Sequence, residues 1–406
     1  MSTRVMSNNK PLIVRSLTFF LAYPSIGFAA LSPNPIDTSS GISVTPYLNL
    51  EWAYDDNYTQ SSKPNSSHIY SASPRLEFVA ERGASSFGLD VSSSSNFYST
   101  DSNFDHTNFY VDANANLDLN IRNRLILNAG YAYEYDTPGS GATEGLGDVI
   151  NELTKYDDVT LQALYQYGAD GAKGRLSVSG QYFKKRYKNF RHIEGEFANR
   201  STRFKDNDKV TLGAQLDINA RDDVYWFVDV SVADSKFPND SIQDNKHYLY
   251  YIGTSWDLTG KTQGSLKVGW QDKRYDTTYS DFDSLSWSVG LTWTPFEHST
   301  IGFDTGKVAE DPSVGNGTND STSYSAYWKH SWFSAFSTRL ATNYKDDRYT
   351  VGGRKDKTRG FGGSATYQFN RWSEMTLGAD RTIKESNREN FGYDQWITSL
   401  ALVFTI

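Results

Sequence analysis

The sequence predicts one all-β domain: an antiparallel, up-and-down transmembrane β-barrel of about 18 strands, with 16 as the alternative count. Three observations lead there. Apolar and polar residues alternate with a period of two along segment after segment. Aromatic residues make up 15% of a chain whose hydrophobic content is only 38%. Short and long connections alternate between the segments.

The alternation is clearest at residues 109–121. Phe109, Val111, Ala113, Ala115, Leu117, Leu119 and Ile121 share one face, and Tyr110, Asp112, Asn114, Asn116, Asp118 and Asn120 the other. That period belongs to a β-strand. Residues 209–220 repeat it, with Val210, Leu212, Ala214, Leu216 and Ile218 set against Thr211, Gly213, Gln215, Asp217 and Asn219. A soluble sheet can carry the same pattern, but here it recurs to the last residue with no helical segment between. Composition agrees. A mean hydropathy of -0.59 would suit a disordered chain, yet such chains lack aromatics. This one has 27 Tyr, 23 Phe and 10 Trp. Strands that are half polar, between two aromatic girdles, reconcile the two facts. A formal net charge of -8 argues against a nucleic-acid partner. The lack of cysteine excludes disulfides and thiolate metal sites.

In chain order, residues 1–29 have the form of a secretory signal. Arg4, Lys10 and Arg15 precede a short apolar run, and Gly27-Phe28-Ala29 is a small-x-small cleavage site. Residues 30–41 are a Pro/Ser/Asn periplasmic linker, and residues 42–406 are the barrel. Strand candidates begin near residues 42, 68, 85, 107, 124, 154, 174, 207, 224, 246, 262, 281, 299, 320, 336, 356, 373 and 391. Short connections fall at 81–84, 121–124, 169–174, 220–223, 259–261, 295–299 and 370–373. Long ones fall at 137–153, 189–206, 238–245, 310–319 and 349–355. Short periplasmic turns and longer outer loops are the barrel pattern. Three outward strands, residues 178–187, 266–275 and 340–349, share a loose repeat that runs from aliphatic through aromatic to a charged tip. The last strand alternates through Trp396, Thr398, Leu400, Leu402 and Phe404 and ends on Ile406, which is similar to a barrel insertion signal.

Three segments carry a family resemblance: Trp52-Ala53-Tyr54-Asp55-Asp56-Asn57, Leu291-Thr292-Trp293-Thr294-Pro295 and Tyr367-Gln368-Phe369-Asn370-Arg371-Trp372, the last followed by Leu377 and Glu385-Ser386-Asn387. On these the chain resembles the β-barrel porin-2 family across nearly all of its expected barrel. The resemblance implies an outer-membrane barrel. Several members are encoded with exopolysaccharide or capsule genes, so it also implies polysaccharide export. It implies no catalytic residues.

Little else carries chemistry. His68, His106, His192, His247, His298 and His330 are scattered without metal-binding spacing and are expected as exposed loop residues. His106 beside Asp105, and His192, come nearest to an enzyme site. The stretch 139–145 superficially resembles a phosphate loop but lacks the Lys-Ser/Thr ending, so it is expected as a flexible outer loop. The pairs Asp55-Asp56, Asp157-Asp158, Asp222-Asp223 and Asp346-Asp347 could suit calcium, or could simply solvate loop tips.

The lumen face is the candidate functional surface. Parity places Glu77, Asp90, Asp112, Asp118, Asp217, Asp257 and Asp304 inward, with Lys185, Lys267, Lys273, Arg339, Lys345 and Lys384. Lys185, Lys273, Lys345 and Lys384 fall late in outward strands and are expected to form a positive ring giving an anion-preferring outer mouth. Asp347 and Asp380 share the parity and could neutralise it. Asp118, Asp217 and Asp257 fall near the periplasmic mouth. Residues 137–153 are long enough to fold inward and narrow the pore. The expected function is an outer-membrane channel for exopolysaccharide or capsule export. The alternatives are a diffusion porin for small solutes, a barrel enzyme and a structural, anchoring barrel. No cofactor, metal or catalytic residue is expected. The expected partners are outer-membrane lipid and lipopolysaccharide, the barrel-assembly machinery, polysaccharide and secretion-cluster proteins.

Overall fold

A computed structural model describes residues 31–406 apart from 170, 222, 259 and 278. The expected signal segment, residues 1–29, and Asp222 lie outside the described residues. The strands are β1 (Ile36–Asp37), β2 (Ile42–Asp55), β3 (Ser67–Arg82), β4 (Ser85–Tyr98), β5 (His106–Asn120), β6 (Asn123–Tyr135) and β7 (Lys155–Tyr167). There follow β8 (Gly174–Tyr187), β9 (Asn207–Arg221), β10 (Val224–Lys236), β11 (Asn245–Leu258), β12 (Thr262–Tyr275) and β13 (Phe282–Phe296). The series ends with β14 (Ser299–Glu310), β15 (Asn319–Phe333), β16 (Phe336–Tyr349), β17 (Lys355–Asn370), β18 (Ser373–Ser386) and β19 (Tyr393–Phe404).

Each of β2 to β19 pairs antiparallel with the next, and β19 returns to β2 through Leu400↔Trp52, closing an 18-strand ring. The strands begin within about two residues of the sequence expectation. Closure satisfies the backbone. An unpaired N–H in hydrocarbon costs several kcal/mol, so a spanning sheet has no tolerable edge. The linker differs from expectation, because its residues Ile36 and Asp37 form β1 and pair with Val44 and Ser43 of β2.

The two faces follow from register. Leu216, Val228, Ile252, Val268 and Trp287 form one continuous outward rung across five strands. Aromatics bound this apolar band. Trp293, Phe296, Trp332, Phe369 and Trp372 stand exposed at the end with short turns, and Tyr70, Phe97, Trp270, Phe361 and Trp396 at the end with long loops. Short turns mark the periplasmic end and long loops the outer one. The 56–66 connection, not among the expected long ones, also belongs to the outer set.

His192 and His298 are exposed in connections as expected, and the other four histidines depart from that expectation by lying on strands. His330 lies 4.4 Å from Trp332 and 5.0 Å from His298, both measured between ring centroids, in the periplasmic girdle. His68 stacks on Trp52 in the outer one. His106 is buried, with Nδ1 2.8 Å from the Phe104 carbonyl, and His247 contacts Gln271 across the lumen face. Girdle and lumen positions use imidazole as a ring with a polar edge, which composition alone does not reveal.

Ala214 lies between Val178 and Val230 on the lipid face, whereas Gln215 donates to Asp217 Oδ1 at 2.7 Å on the lumen face. Arginine at a lipid-facing midplane site costs roughly 2–4 kcal/mol. Ala214→Arg should therefore cut the assembled fraction on heat-modifiability gels, and Gln215→Arg should leave it near wild type. Equal behaviour would mean that the register is one residue out.

Candidate functional site: the lumen and its outer mouth

The expected lumen residues all fall on the inner face. Several are matched locally. Arg75 bonds Asp90, Arg124 meets Asp118 at 2.6 Å, Arg175 meets Asp217 at 3.2 Å, and Lys267 meets Asp229 at 2.9 Å. Lumen cations also stand over lumen tyrosines. Arg339 lies 4.9 Å from the Tyr327 ring and Lys267 4.3 Å from that of Tyr251. Such contacts contribute about 0.5–1 kcal/mol when exposed.

The charge is uneven around the ring. On β2 to β7 the inward carboxylates include Glu51, Glu77, Asp90, Asp112, Glu134 and Asp158, and the inward strand cations are Arg75 and Arg124. Asp90 and Asp112 stand directly opposite each other. On β8 to β18 acids and bases are nearly balanced, with Asp257 and Asp304 set among Arg175, Lys267 and Arg339. The lumen therefore has one acidic wall.

The expected ring of free lysines does not form. Lys273 is 2.6 Å from Asp311, with its side chain 2% exposed. Lys345 lies 3.2 Å from Asp347 and 3.5 Å from Glu310. Lys384 bonds Glu144 and lies 3.3 Å from Asp356. Lys185 stands 3.4 Å from the Tyr156 ring centroid, within the field of Asp136, Asp158 and Glu134. Burying a lysine without a counter-charge is very costly. Asp347 on β16 neutralises Lys345 as its shared parity allowed, and Glu144 and Asp311 on outer loops supply what strand parity could not show.

Glu144 is the centre of this arrangement. It sits in the 136–154 connection, which folds inward as its length suggested. Its carboxylate accepts from Arg354 and Lys384, and from Ser313 Oγ at 3.2 Å, while Arg200 donates to its carbonyl at 3.1 Å. Arg354 also donates to Asp356 and lies 3.9 Å from the Phe391 ring. The glycines around Glu144 permit the approach: a Cβ on Gly145 would lie 2.8 Å from Phe391, and one on Gly147 2.2 Å from the Thr59 carbonyl. Residues 139–145 are thus packed against neighbouring loops and are not a free tip. A second anchor holds the 311–318 loop. Asp311 accepts from Lys273, from Lys209 at 3.4 Å and from Asn245 at 3.2 Å, and Lys205 donates to the Pro312 carbonyl at 3.1 Å. Connections 56–66, 136–154, 188–206, 311–318, 350–354 and 387–392 therefore meet across the mouth.

The sequence reading missed Glu144, Arg354, Asp311 and Lys205. The one available signal was Glu144 as the sole charge within residues 137–147. Arg339, Asp118, Asp217 and Asp257 lie deeper and take no part in the mouth. The three acidic pairs that lie wholly among the described residues do not act as pairs. Strand alternation sends Asp157 outward to Lys188 and Asp158 inward, and sends Asp346 outward to Arg348 and Asp347 inward. Asp55 accepts from Gln395 while Asp56 accepts from the Trp396 N–H. Neighbouring carboxylates on opposite faces cannot share one cation.

Residues 42–405 match the family model described as "Putative beta-barrel porin 2". The chain belongs to this family. It is an outer-membrane β-barrel of porin-like channel type. Solved structures similar to it include Pseudomonas aeruginosa OpdO, 13% identical with a TM-score of 0.49, covering 91% of this chain and 98% of that one. The siderophore receptor PirA from Acinetobacter baumannii is 7% identical with a TM-score of 0.49, over 89% and 80% of the two chains. Acinetobacter baumannii OccAB4 is 12% identical with a TM-score of 0.47, over 89% and 98%. No curated protein matches the chain.

Two outcomes follow for the channel. Burial pushes the Glu144 carboxyl up, but Lys384 and Arg354 prevail and hold it down at about 2. Its unfolded value is near 4.3. The folded value is the lower one, so the anchor is at full strength above about pH 4.3 and is lost as pH falls through about 2. In planar bilayers the excess conductance of Glu144→Gln over wild type, compared at each pH, should stay constant from pH 7 to about 4.3 and vanish toward pH 2. With the lysines neutralised, the acidic wall sets ion preference. Reversal potentials should show cation preference that fades between 0.1 M and 1 M salt, as the Debye length falls from about 10 Å to about 3 Å. Anion preference would reinstate the lysine ring.

Proposed function

We propose that this protein is a gated outer-membrane channel for hydroxyl-rich solutes, with an exopolysaccharide or capsule strand as cargo. The observation that carries the gating is the outer mouth, where Glu144 ties the 136–154 connection to Arg354 and Lys384. A polymer leaves only when that tie opens. Two features support a carbohydrate cargo: the family resemblance, and a lumen wall rich in hydroxyls and amides. On β3 and β4, Ser71 donates to Asn96 at 2.7 Å and Ser73 lies 3.0 Å from Ser94. Neutral bonds of this kind contribute about 0.5–1.5 kcal/mol each, so they can exchange with sugar hydroxyls along a path without trapping the strand.

A second reading, a diffusion porin for small solutes, is favoured by the acidic wall, which suits small cations and polar molecules. One pair of measurements separates them. Cells lacking the protein should secrete less polymer and recover with the wild-type chain. In liposome-swelling assays, Glu144→Gln should admit saccharides that the wild type excludes. Unchanged polymer secretion, together with wild-type swelling as fast as that of the variant, would favour the small-solute porin.

A further inference from the structure

The lipid-facing outer rim carries charges that the channel does not use, and they are unevenly placed. On β16 to β19, register stacks four outward rungs above the apolar band. Phe361, Arg381 and Trp396 share the first, and Tyr344, Arg359 and Ile383 the second. Asp346, Lys357 and Glu385 share the third, and Arg348 and Lys355 the fourth. Successive rungs are two residues apart, or roughly 7 Å along a strand. The cations therefore start at the girdle, where Phe361 is 56% and Trp396 47% exposed, and continue outward past it.

The local carboxylates are already engaged. Asp394 meets Arg381 at 2.7 Å, Asp346 meets Arg348 at 2.9 Å, and Glu385 meets Arg359 at 3.5 Å. Lys355 and Lys357 are exposed and have no ion pair among the described residues. A sector a third of the way round the ring reads differently. On β10 to β12, Lys236 alone meets Asp234, Asp244 and Asp276, and Arg274 is bound to Asp272. That sector has no cation to spare.

We infer that the outer rim of β16 to β18 binds the phosphorylated headgroup of an outer-leaflet glycolipid. The height argues for a lipid: the cations begin at the aromatic girdle that marks the membrane interface, where headgroup phosphates lie. Arg359 meets Glu385 through one nitrogen at 3.5 Å and turns its other planar donors to phosphate oxygens. Lys355 and Lys357 supply the unspent charge, and Phe361 and Trp396 below them pack against the acyl chains. The site lies outside the lumen and is independent of the proposed cargo.

The test uses the full chain in neutral detergent, titrated with fluorescent diphosphoryl lipid A, its monophosphoryl form and its dephosphorylated form. Wild-type affinity should fall in that order and weaken with salt. The triple variant K355Q/K357Q/R359Q should bind roughly tenfold or more weakly, while K246Q/R274Q on β11 and β12 should bind like wild type. Equal affinity for all three lipids, or equal loss in both variants, would overturn the site. Full displacement by millimolar inorganic phosphate would make it a free-anion site and overturn the lipid assignment. Should heat-modifiability show that the triple variant fails to assemble, Lys357→Gln and the wild-type salt series decide, and salt-insensitive binding would overturn it.

Discussion

Everything here depends on closing the backbone ladder. The seam between β19 and β2 is among its shortest stretches, pairing only from Asp55↔Ile397 to Leu48↔Phe404. Below Leu48, β2 still has an edge. Thr405 Oγ1 donates to the Pro46 carbonyl at 2.9 Å, so Pro46 turns its peptide atoms toward the seam. A strand residue's N and O point the same way, and proline has no N–H to leave orphaned. The ladder therefore changes partner at the residue where a missing bond costs least. Just beyond, β1 takes over at Val44, and the Asn34 N–H donates to the Ile406 carbonyl at 2.5 Å. The short strand outside the ring is a seal at the seam.

Closure also fixes the charges. Once the strands are locked in register, Lys273, Lys345 and Lys384 are held inward near the outer rim with little freedom to escape. A buried cation needs a partner, and the strands alone do not supply enough of them. The loops do, through Glu144 and Asp311. The lysines thus decide where the connections end up, and the packing of the mouth is a consequence of the wall. The glycines beside Glu144 matter for the same reason, because only a chain without side chains at 145 and 147 can bring the carboxylate to both cations.

This division explains what was legible in the sequence. Period two fixed strand existence, face and near-correct boundaries, because lipid and lumen impose opposite demands on neighbouring residues over the whole length. Parity says which face a lysine occupies and nothing about what stands across from it. Glu144 is 240 positions from Lys384 and 210 from Arg354, a separation at which no local pattern survives. The same gap weakened the expectation of an anion-selective ring: Glu144 and Asp311, which neutralise Lys384 and Lys273, sit on loops, while Asp347, which neutralises Lys345, shares the parity that was legible. β1 went unseen because two residues carry no period. The acidic pairs were misjudged for the converse reason: alternation, correctly applied, already sends adjacent carboxylates apart.

β17 shows how tightly the two surfaces are coupled. Its inward Asp356 belongs to the latch at the mouth, and its outward Lys355, Lys357 and Arg359 form the rim. A slip of one residue would push Asp356 toward lipid and a lysine into the latch, damaging both at once. The strand is pinned against that slip from within. A Cβ on Gly360 would lie 2.0 Å from Asn343 Oδ1, and one on Gly362 2.1 Å from Asp380 Oδ1. The side chains of β16 and β18 therefore reach over β17 only where it has none of its own. The glycines that look like weak points in a strand hold its register, and through it the separation of a neutralised lumen from a charged outer rim.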